Sequence, residues 1–88
     1  MIMTAKPLVL TAHAVMRLEE RRIPMEWVED TARNPDWSVP DRYDSEVERR
    51  FRAIPACGHR VLRVACVETN TAIRVIGVLF DRKARRPL

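Results

Sequence analysis

The sequence contains little glycine and little cysteine, and both scarcities narrow the class of protein. Two glycines among 88 residues, with 47% hydrophobic and 32% charged residues, exclude a disordered chain and are ordinary for a soluble globular domain. The two cysteines, Cys57 and Cys66, lack CxxC spacing, which argues against a disulfide framework and predicts small core residues in a reducing compartment. The length suits one hydrophobic core and is too short for two, so we expect a single domain over residues 1–88.

A long apolar run is also missing. The N-terminal stretch MIMTAKPLVLTAHAV is interrupted by Pro7, Thr11 and His13, and its apolar part is too short for a signal peptide or a membrane-spanning helix. No internal repeat or low-complexity tract occurs apart from the basic tail 82–88. We therefore expect a cytoplasmic protein with no membrane partner.

Lysine is nearly absent, so arginine carries almost all of the positive charge. Only Lys6 and Lys83 are lysines among sixteen basic residues, and twelve acidic residues leave a formal net charge of +4. The planar guanidinium of arginine suits bidentate contacts with phosphate or carboxylate groups. This composition favours nucleic acid or an acidic protein as the partner, although domains that bind neither also reach this charge.

The first third of the chain carries helix signals. Thr11 is a good N-cap for a helix that runs from Ala12 to about Arg22. Pro24 then suits the first turn of a second helix over residues 25–34, which Asn34-Pro35 ends. The residues expected to face the core are Ala14, Val15 and Leu18 in the first helix and Trp27, Val28, Thr31 and Ala32 in the second.

The rest of the chain carries strand signals. Segments 48–54, 60–68 and 72–81 are rich in Val, Ile, Leu and Phe and are separated by turn residues, which predicts an antiparallel meander. The segment 36–47 is expected to be an acidic loop with a short edge strand around 37–39. The predicted fold is α+β, with two N-terminal helices, about 12–33, packed on a three- to four-stranded antiparallel sheet, about 48–81, followed by the basic C-terminal tail 82–88.

A two-residue turn at Thr69-Asn70 would set the register of the last two strands, with Glu68 opposite Thr71. One face would then be purely apolar and covered by the helices: Leu62, Val64, Cys66, Ile73, Val75 and Leu79. Arg63 and Arg74 would be diagonal neighbours on the opposite face. That face would also carry several apolar residues, which is typical of a partner surface: Val61, Ala65, Val67, Ile76, Val78 and Phe80.

The stretch 13-HAVMRLEERRI-23 contains one histidine followed by two arginines at four-residue intervals. On a helix His13, Arg17 and Arg21 fall nearly on one line, because each four-residue step exceeds a full turn by about 40°. RNA cleavage without metal needs a proton acceptor and cations that stabilise the charge on the phosphorane oxygens, and this line supplies both. The alternative is structural, with His13 packed at the helix start and the arginines paired with carboxylates such as Glu20.

The sheet and the tail supply further basic candidates. Arg74 is predicted to add a cation to the catalytic site. Arg50, Arg52, Arg63 and Arg82 are predicted to contact RNA phosphates. The alternative for the arginines of the first long strand is protection of a sheet edge against aggregation. The spacing of Cys57 and His59 matches zinc sites poorly, so we expect neither a metal nor a cofactor, and His59 is expected to be exposed in a turn.

The motif HA-x2-R-x3-R-x-I, which starts at His13, occurs here with Asn34-Pro35 and two terminal Val-rich strands. This combination resembles a family of small bacterial domains known as "domain of unknown function 4258", over roughly residues 10–82. That family is in turn similar in layout to the two-helix, antiparallel-sheet ribonuclease toxins of the RelE and BrnT type, which act beside a cognate antitoxin.

The resemblance implies that His13, Arg17 and Arg21 are signature positions, with Arg63 or Arg74 as basic partners from the sheet. A RelE-like toxin is expected to place its basic residues on the sheet face away from the helices, whereas the histidine of this motif lies on a helix. The predicted function is a RelE-like RNA-binding protein or metal-independent ribonuclease toxin, which would act on RNA or the ribosome and bind an acidic, antitoxin-like protein. The alternative is a non-catalytic interaction module that forms a homodimer or pairs with an acidic partner through the open sheet face.

Overall fold

Two helices pack against one face of a five-stranded sheet in the computed structural model, which describes residues 5–87. The elements in chain order are β1 (Leu8–Leu10), α1 (Ala12–Arg21), α2 (Met25–Arg33), β2 (Trp37–Pro40), β3 (Glu48–Ile54), β4 (Arg60–Glu68) and β5 (Ile73–Phe80). The strand order is β1-β5-β4-β3-β2, and all neighbours are antiparallel except β1 and β5. The α+β class with two helices on a sheet is therefore confirmed, although the sheet has five strands and is mixed.

The first strand, β1, was not predicted from the sequence. It pairs in parallel with β5, with Leu8 opposite Ile73 and Leu10 opposite Val75. Three residues are too few to show an alternating pattern, and the partner strand lies at the other end of the chain, so the sequence carries no local signal for this pair. The predicted lead-in covers residues 1–10, of which residues 1–4 lie outside the described part.

The N-terminal helix α1 begins where it was predicted to begin. The Thr11 hydroxyl accepts a hydrogen bond from the Ala14 N–H at 3.1 Å, and the helix ends at Arg21 with Arg22 as its C-cap, in a left-handed conformation with φ of 53°. Ala14 and Leu18 are buried, but Val15 is 41% exposed, so its predicted place in the core is wrong. Val15 lies about 100° around the helix from Ala14, beyond the narrow stripe that faces the sheet.

The second helix, α2, matches its prediction closely. Val28, Thr31 and Ala32 are fully buried, and Trp27 is partly buried against the same core. The buried Thr31 hydroxyl donates to the Trp27 carbonyl at 2.8 Å, which satisfies its hydrogen bond within the helix. α1 packs on β1 and β5, and α2 packs on β3 and β4.

The connection between β4 and β5 differs from the prediction. Glu68 pairs with Ile73 and not with Thr71, because a four-residue loop replaces the predicted two-residue turn. Farther along, Ala65 faces Gly77 while the next residue, Cys66, faces Val75, so Ile76 is an extra residue in β5. This β-bulge reverses which side chains of β5 point to the helices.

The bulge changes the assignment of the last residues of β5. Val78 is 3% exposed and Phe80 packs against the core, so both lie on the helix-covered face, and the predicted place of Leu79 on that face is wrong. The other predicted inward residues are buried: Leu62, Val64, Cys66, Ile73 and Val75. The two cysteines are free, with Cys66 buried and Cys57 half-buried against the core, as predicted.

The face of the sheet turned away from the helices is called the open face. Arg63 and Arg74 both lie on it, as predicted, because each alternates with buried neighbours on its strand. Arg63 is opposite Leu79 and Arg74 is opposite Val67, so the two arginines are about 13 Å apart along the sheet and are not diagonal neighbours. Within residues 5–87, no helix is long and apolar enough to cross a membrane.

Candidate nucleic-acid interface

The predicted histidine and arginine line forms on the outer side of α1. His13 and Arg21 are exposed, and Arg17 lies between them, one turn from each. The Arg17 Nε donates to the His13 Nε2 at 3.4 Å, while its Nη1 forms an ion pair with Glu20 at 3.2 Å. The histidine-arginine contact required by the catalytic hypothesis and the acidic partner expected from the structural alternative are therefore both present.

Arg74 lies on the other side of the sheet from this helix. Ile73 and Val75 point into the core that α1 covers, so the residue between them points to the open face. There Arg74 is exposed and its direct neighbour on β1 is Val9, which is 49% exposed. The structure thus brings His13 and Arg17 together and does not bring Arg74 to them.

Arg50 lies on the helix-covered face of β3 and is held by three contacts within the protein. Its guanidinium donates to the Ala32 carbonyl near the end of α2 at 2.6 Å, to Glu48 at 2.6 Å and to Glu68 at 2.7 Å. Only 11% of its side chain is exposed. A cation at the C-terminal end of a helix satisfies carbonyls that have no partner in the helix and interacts favourably with the helix dipole.

Glu68 joins this arginine to the N-terminal segment. Its carboxylate accepts a hydrogen bond from the Lys6 Nζ at 2.7 Å and another from Arg50, and these two bonds lower the pKa of Glu68 to about 2. Burial acts to lower the pKa of Arg50, but the hydrogen bonds to Glu68 and Glu48 outweigh it, so that pKa is raised. These contacts link the segment before β1 to β3, β4 and the end of α2.

Arg52 and Arg63 also have partners in the protein. Arg52 donates to the Asn34 carbonyl at 2.6 Å, just after α2. Arg63 forms an ion pair with Asp81 at 3.1 Å across the ends of β4 and β5. Three of the four arginines predicted to bind RNA are thus engaged in internal contacts, and their role in RNA binding stays a prediction. The fourth, Arg82, is exposed at the start of the tail.

Arg82 lines a cavity of about 340 Å³ that we call the C-terminal pocket. A short 3-10 turn, Pro55–Cys57, precedes two residues in the left-handed conformation, Gly58 with φ of 60° and His59 with φ of 61°. This reversal places the start of β4 beside the end of β5 and the tail. The polar and aromatic residues that line the cavity are His59, Arg60, Phe80, Asp81, Arg82 and Arg85.

Arg60 forms one wall of the C-terminal pocket. Its guanidinium carbon lies 4.2 Å from the centre of the Phe80 ring, the geometry of a cation–π contact, and its Nη1 lies 3.8 Å from the Cys57 sulfur. Phe80 in turn meets Trp27 edge to face, with ring centres 6.3 Å apart. The guanidinium plane is therefore supported from the core side by a packed aromatic pair.

Nine basic residues form no ion pair within residues 5–87, and five of them lie in the C-terminal pocket and the adjoining tail. The five basic residues there are Arg60, Arg82, Lys83, Arg85 and Arg86, and none forms an ion pair within the described part of the chain. The single carboxylate, Asp81, is paired with Arg63. Since the chain has sixteen basic and twelve acidic residues, the remaining eleven of each sign balance, and this cluster accounts for the entire net charge of +4.

Sequence reasoning missed His59, Arg60 and Arg85 as members of one site. The basic tail was visible in the sequence, but nothing local indicated that it folds back beside the turn at Gly58. Among residues 5–87, no three His, Cys, Asp or Glu side chains are grouped so that they could hold a metal ion.

The open face carries its own aromatic pair. Trp37 stacks on Phe51 with ring centres 4.9 Å apart and an interplanar angle of 5°, which leaves Phe51 only 6% exposed. The two residues are direct partners on β2 and β3. Half-buried apolar side chains continue across the neighbouring strands: Val67, Ile76 and Leu79.

Comparison with known proteins identifies a family and no further relative. Residues 10–80 match the family model described as "Domain of unknown function (DUF4258)". No curated protein and no solved structure matches the chain. The resemblance read from the HA-x2-R-x3-R-x-I motif is thereby confirmed, and the RelE-like layout stays a prediction.

Proposed function

We propose a function for this chain, which belongs to the DUF4258 family: it binds RNA through the C-terminal pocket and the basic tail beside it. The observation that supports this most is the charge distribution, because three arginines and one already paired carboxylate line the pocket and two more basic residues lie in the adjoining tail. Phosphate contacts supply most of the sequence-independent affinity for nucleic acids. Four of the five cations are arginines, whose planar fork suits phosphate oxygens.

The arginines that have partners elsewhere in the protein support this location by contrast, whereas those without an ion pair outside the pocket and tail are dispersed over the end of α1, the loop after β2 and β5. Arg50 and Arg52 bond to carbonyls at the end of α2, and Arg17 and Arg49 are paired with Glu20 and Asp41. A phosphate that approached any of them would have to displace a partner that is already in place. Arg82 forms no side-chain hydrogen bond or ion pair within residues 5–87, and Arg85 would give up only a bond to the neighbouring Ala84 carbonyl at 3.1 Å, so the release of counterions on binding is a net gain there.

Cleavage of the bound RNA is a separate step of the proposal. The proximity of His13 and Arg17 supports a metal-independent reaction on α1. The imidazole, once its Nε2 is released from Arg17, accepts the proton of a 2'-hydroxyl whose oxygen attacks the adjacent phosphorus, the bond to the 5'-oxygen breaks and that oxygen takes a proton from water, and the guanidinium stabilises the phosphorane. Arg74 is on the far side of the sheet, so such a site would act without it. A toxin role follows only if cleavage occurs.

The test is RNA binding by fluorescence anisotropy, with EDTA present and over a series of salt concentrations. The double variant Arg82→Ala/Arg85→Ala removes two cations of the pocket. The matched control, Arg22→Asn/Arg42→Ala, removes two exposed arginines elsewhere, with asparagine chosen because Arg22 is in the left-handed conformation. Two lost contacts should lower the slope of log affinity against log salt by about 1.4 in the first variant only.

Equal binding by the two double variants would contradict the proposed location. If the unmodified protein binds no RNA even at low salt, the proposed function itself is wrong. Gel analysis of the same samples reports cleavage, and RNA that is cut by the unmodified protein but not by His13→Ala would assign the reaction to α1.

A second candidate function rests on the open face. Val9 is 49% exposed there, half-buried Val67, Ile76 and Leu79 lie on the same face, and no layer of residues 5–87 covers them. Such a surface suits a second copy of the chain or an acidic, antitoxin-like protein that would also meet Arg74. Sedimentation of the unmodified protein and of Val9→Asp tests this, since a dimer through this face should dissociate in the variant.

A further inference from the structure

We infer that the C-terminal pocket binds one unpaired nucleotide, with its base stacked on the Arg60 guanidinium and its phosphate contacted by Arg82 and Arg85. This inference rests on the proposed RNA binding and adds the class of RNA: single-stranded, with a base free to leave its stack. Three features of the pocket support it: the size of the cavity, the packing of Arg60 and the positions of the charges.

The size of the cavity limits what can enter it. At about 340 Å³ it is at the small end of ligand pockets, which span roughly 300 to 1,000 Å³. A space of this size suits a single nucleotide and excludes a segment of double helix. A duplex would touch only the exposed tail residues outside the cavity.

Arg60 provides a surface for a base. Its guanidinium carbon lies over the Phe80 ring, 4.2 Å from the ring centre, and its Nη1 lies 3.8 Å from the Cys57 sulfur, so one side of the group is occupied by the protein. The residue is nevertheless exposed and lines the cavity, so its second face is available to a ligand. Guanidinium planes and aromatic rings are the surfaces on which proteins stack the unpaired bases of RNA.

The charges at the rim match the rest of a nucleotide. Arg82 and Arg85 line the cavity and have no carboxylate partner within the described residues, whereas Asp81, the one acid in the lining, is held by Arg63 at 3.1 Å. The phosphate of a nucleotide whose base stacks on Arg60 therefore meets two cations that have no carboxylate partner, beside a carboxylate that is already paired. In a duplex both faces of every internal base are covered, so this combination of contacts is open only to an unpaired nucleotide.

The experiment compares one RNA sequence as a single strand and as a blunt duplex, by anisotropy at fixed salt. The unmodified protein should prefer the single strand by about ten-fold, the size of one base-stacking contact. Arg60→Lys keeps the charge and removes the planar surface, so it should lose about ten-fold on the single strand and remain within two-fold on the duplex. Arg42→Lys, an exposed arginine in the loop after β2, is the matched control and should change neither.

The outcomes separate this inference from the proposed function. RNA binding that is equally strong for both forms, or that Arg60→Lys leaves unchanged on the single strand, would overturn the stacking site while leaving phosphate binding intact. Absence of binding to either form would overturn the proposed function itself. The preference of the unmodified protein for the single strand is measured without any variant, so it tests the inference even if a substitution alters folding. Thermal unfolding of each variant checks that it is folded.

Discussion

Replacement of Arg50 by alanine should destabilise the protein more than the loss of any exposed arginine. The substitution removes three hydrogen bonds and leaves the Ala32 carbonyl without its donor at the end of α2. The bonds to Glu48 and Glu68 count for little, because those side chains are 44% and 36% exposed and water screens their charges. The main losses are therefore the charged hydrogen bond to the carbonyl and the packing of the buried stem of the side chain. Together they predict that the free energy of unfolding falls by about 2 to 3 kcal/mol.

Two further variants sharpen this prediction. Arg50→Lys keeps the positive charge, but an ammonium group cannot reach three partners in different directions as a guanidinium does, so we expect a loss of roughly 1 kcal/mol. Arg42→Ala is the control, since Arg42 is exposed and forms no ion pair within residues 5–87, and its change should stay within about 0.5 kcal/mol.

The measurement is urea unfolding followed by circular dichroism. The free energies can be compared if the slope of unfolding free energy against urea concentration is the same in each variant. Equal stability of Arg50→Ala and Arg42→Ala would refute this role of Arg50 at the end of α2. If Arg50→Ala were then also to lose RNA affinity, Arg50 would be a ligand of the nucleic acid, as predicted from the sequence, and not mainly a cap of α2.

The same network makes stability depend on pH. The pKa of Glu68 falls from its ordinary value of 4.5 to about 2 in the folded protein, first through the hydrogen bond from Lys6 and then through that from Arg50. The contribution of the Glu68 carboxylate to the free energy of unfolding is therefore fully present above pH 4.5 and is lost as the pH falls through 2. Because 36% of the side chain is exposed, the loss should be about 1 kcal/mol, and it should shrink in Glu68→Gln, measured by urea unfolding at both ends of this range.

Two further predictions concern stability at single positions. Thr11→Ala removes the hydroxyl that accepts the Ala14 N–H at 3.1 Å and should cost about 1 kcal/mol in urea unfolding, whereas Thr11→Ser should restore most of it. Val78→Asp places a carboxylate at a position that is 3% exposed and should prevent folding, while Leu79→Asp on the open face should cost only about 1 kcal/mol. Circular dichroism of the two aspartate variants decides whether the bulge at Ile76 is correctly placed, since the register predicted from the sequence requires the opposite result.

Local signals predicted the helices and the longer strands well. Thr11, Pro24 and the Asn34-Pro35 pair act within a few residues of where they stand, and the helix limits follow them closely. The strand segments 48–54 and 60–68 were likewise identified by composition alone. Each of these elements is determined mainly by its own sequence, so its limits can be predicted without knowing which other element it packs against.

The register of β5 depends on non-local packing and was therefore misread. The loop between Glu68 and Ile73 has two more residues than a tight hairpin turn. Because two is an even number, the longer loop by itself would leave every residue of β5 on its predicted face. The extra residue Ile76 then reverses the alternation, so that Val78 is buried where an unbroken strand would bury Leu79. Both valine and leucine suit a buried position, so composition could not distinguish the two registers.

The roles of the arginines were the hardest part to predict, because each role depends on what the fold places beside the residue. Arg50 and Arg60 are both strand arginines next to apolar residues, yet Arg50 meets the end of α2 and Arg60 meets Phe80 and a cavity. The sequence shows how much positive charge exists but not how much of it is already paired. Once the ion pairs are known, nine basic residues remain without one within residues 5–87, and the five that lie together at the C-terminal pocket and the tail are the largest group available to a phosphate.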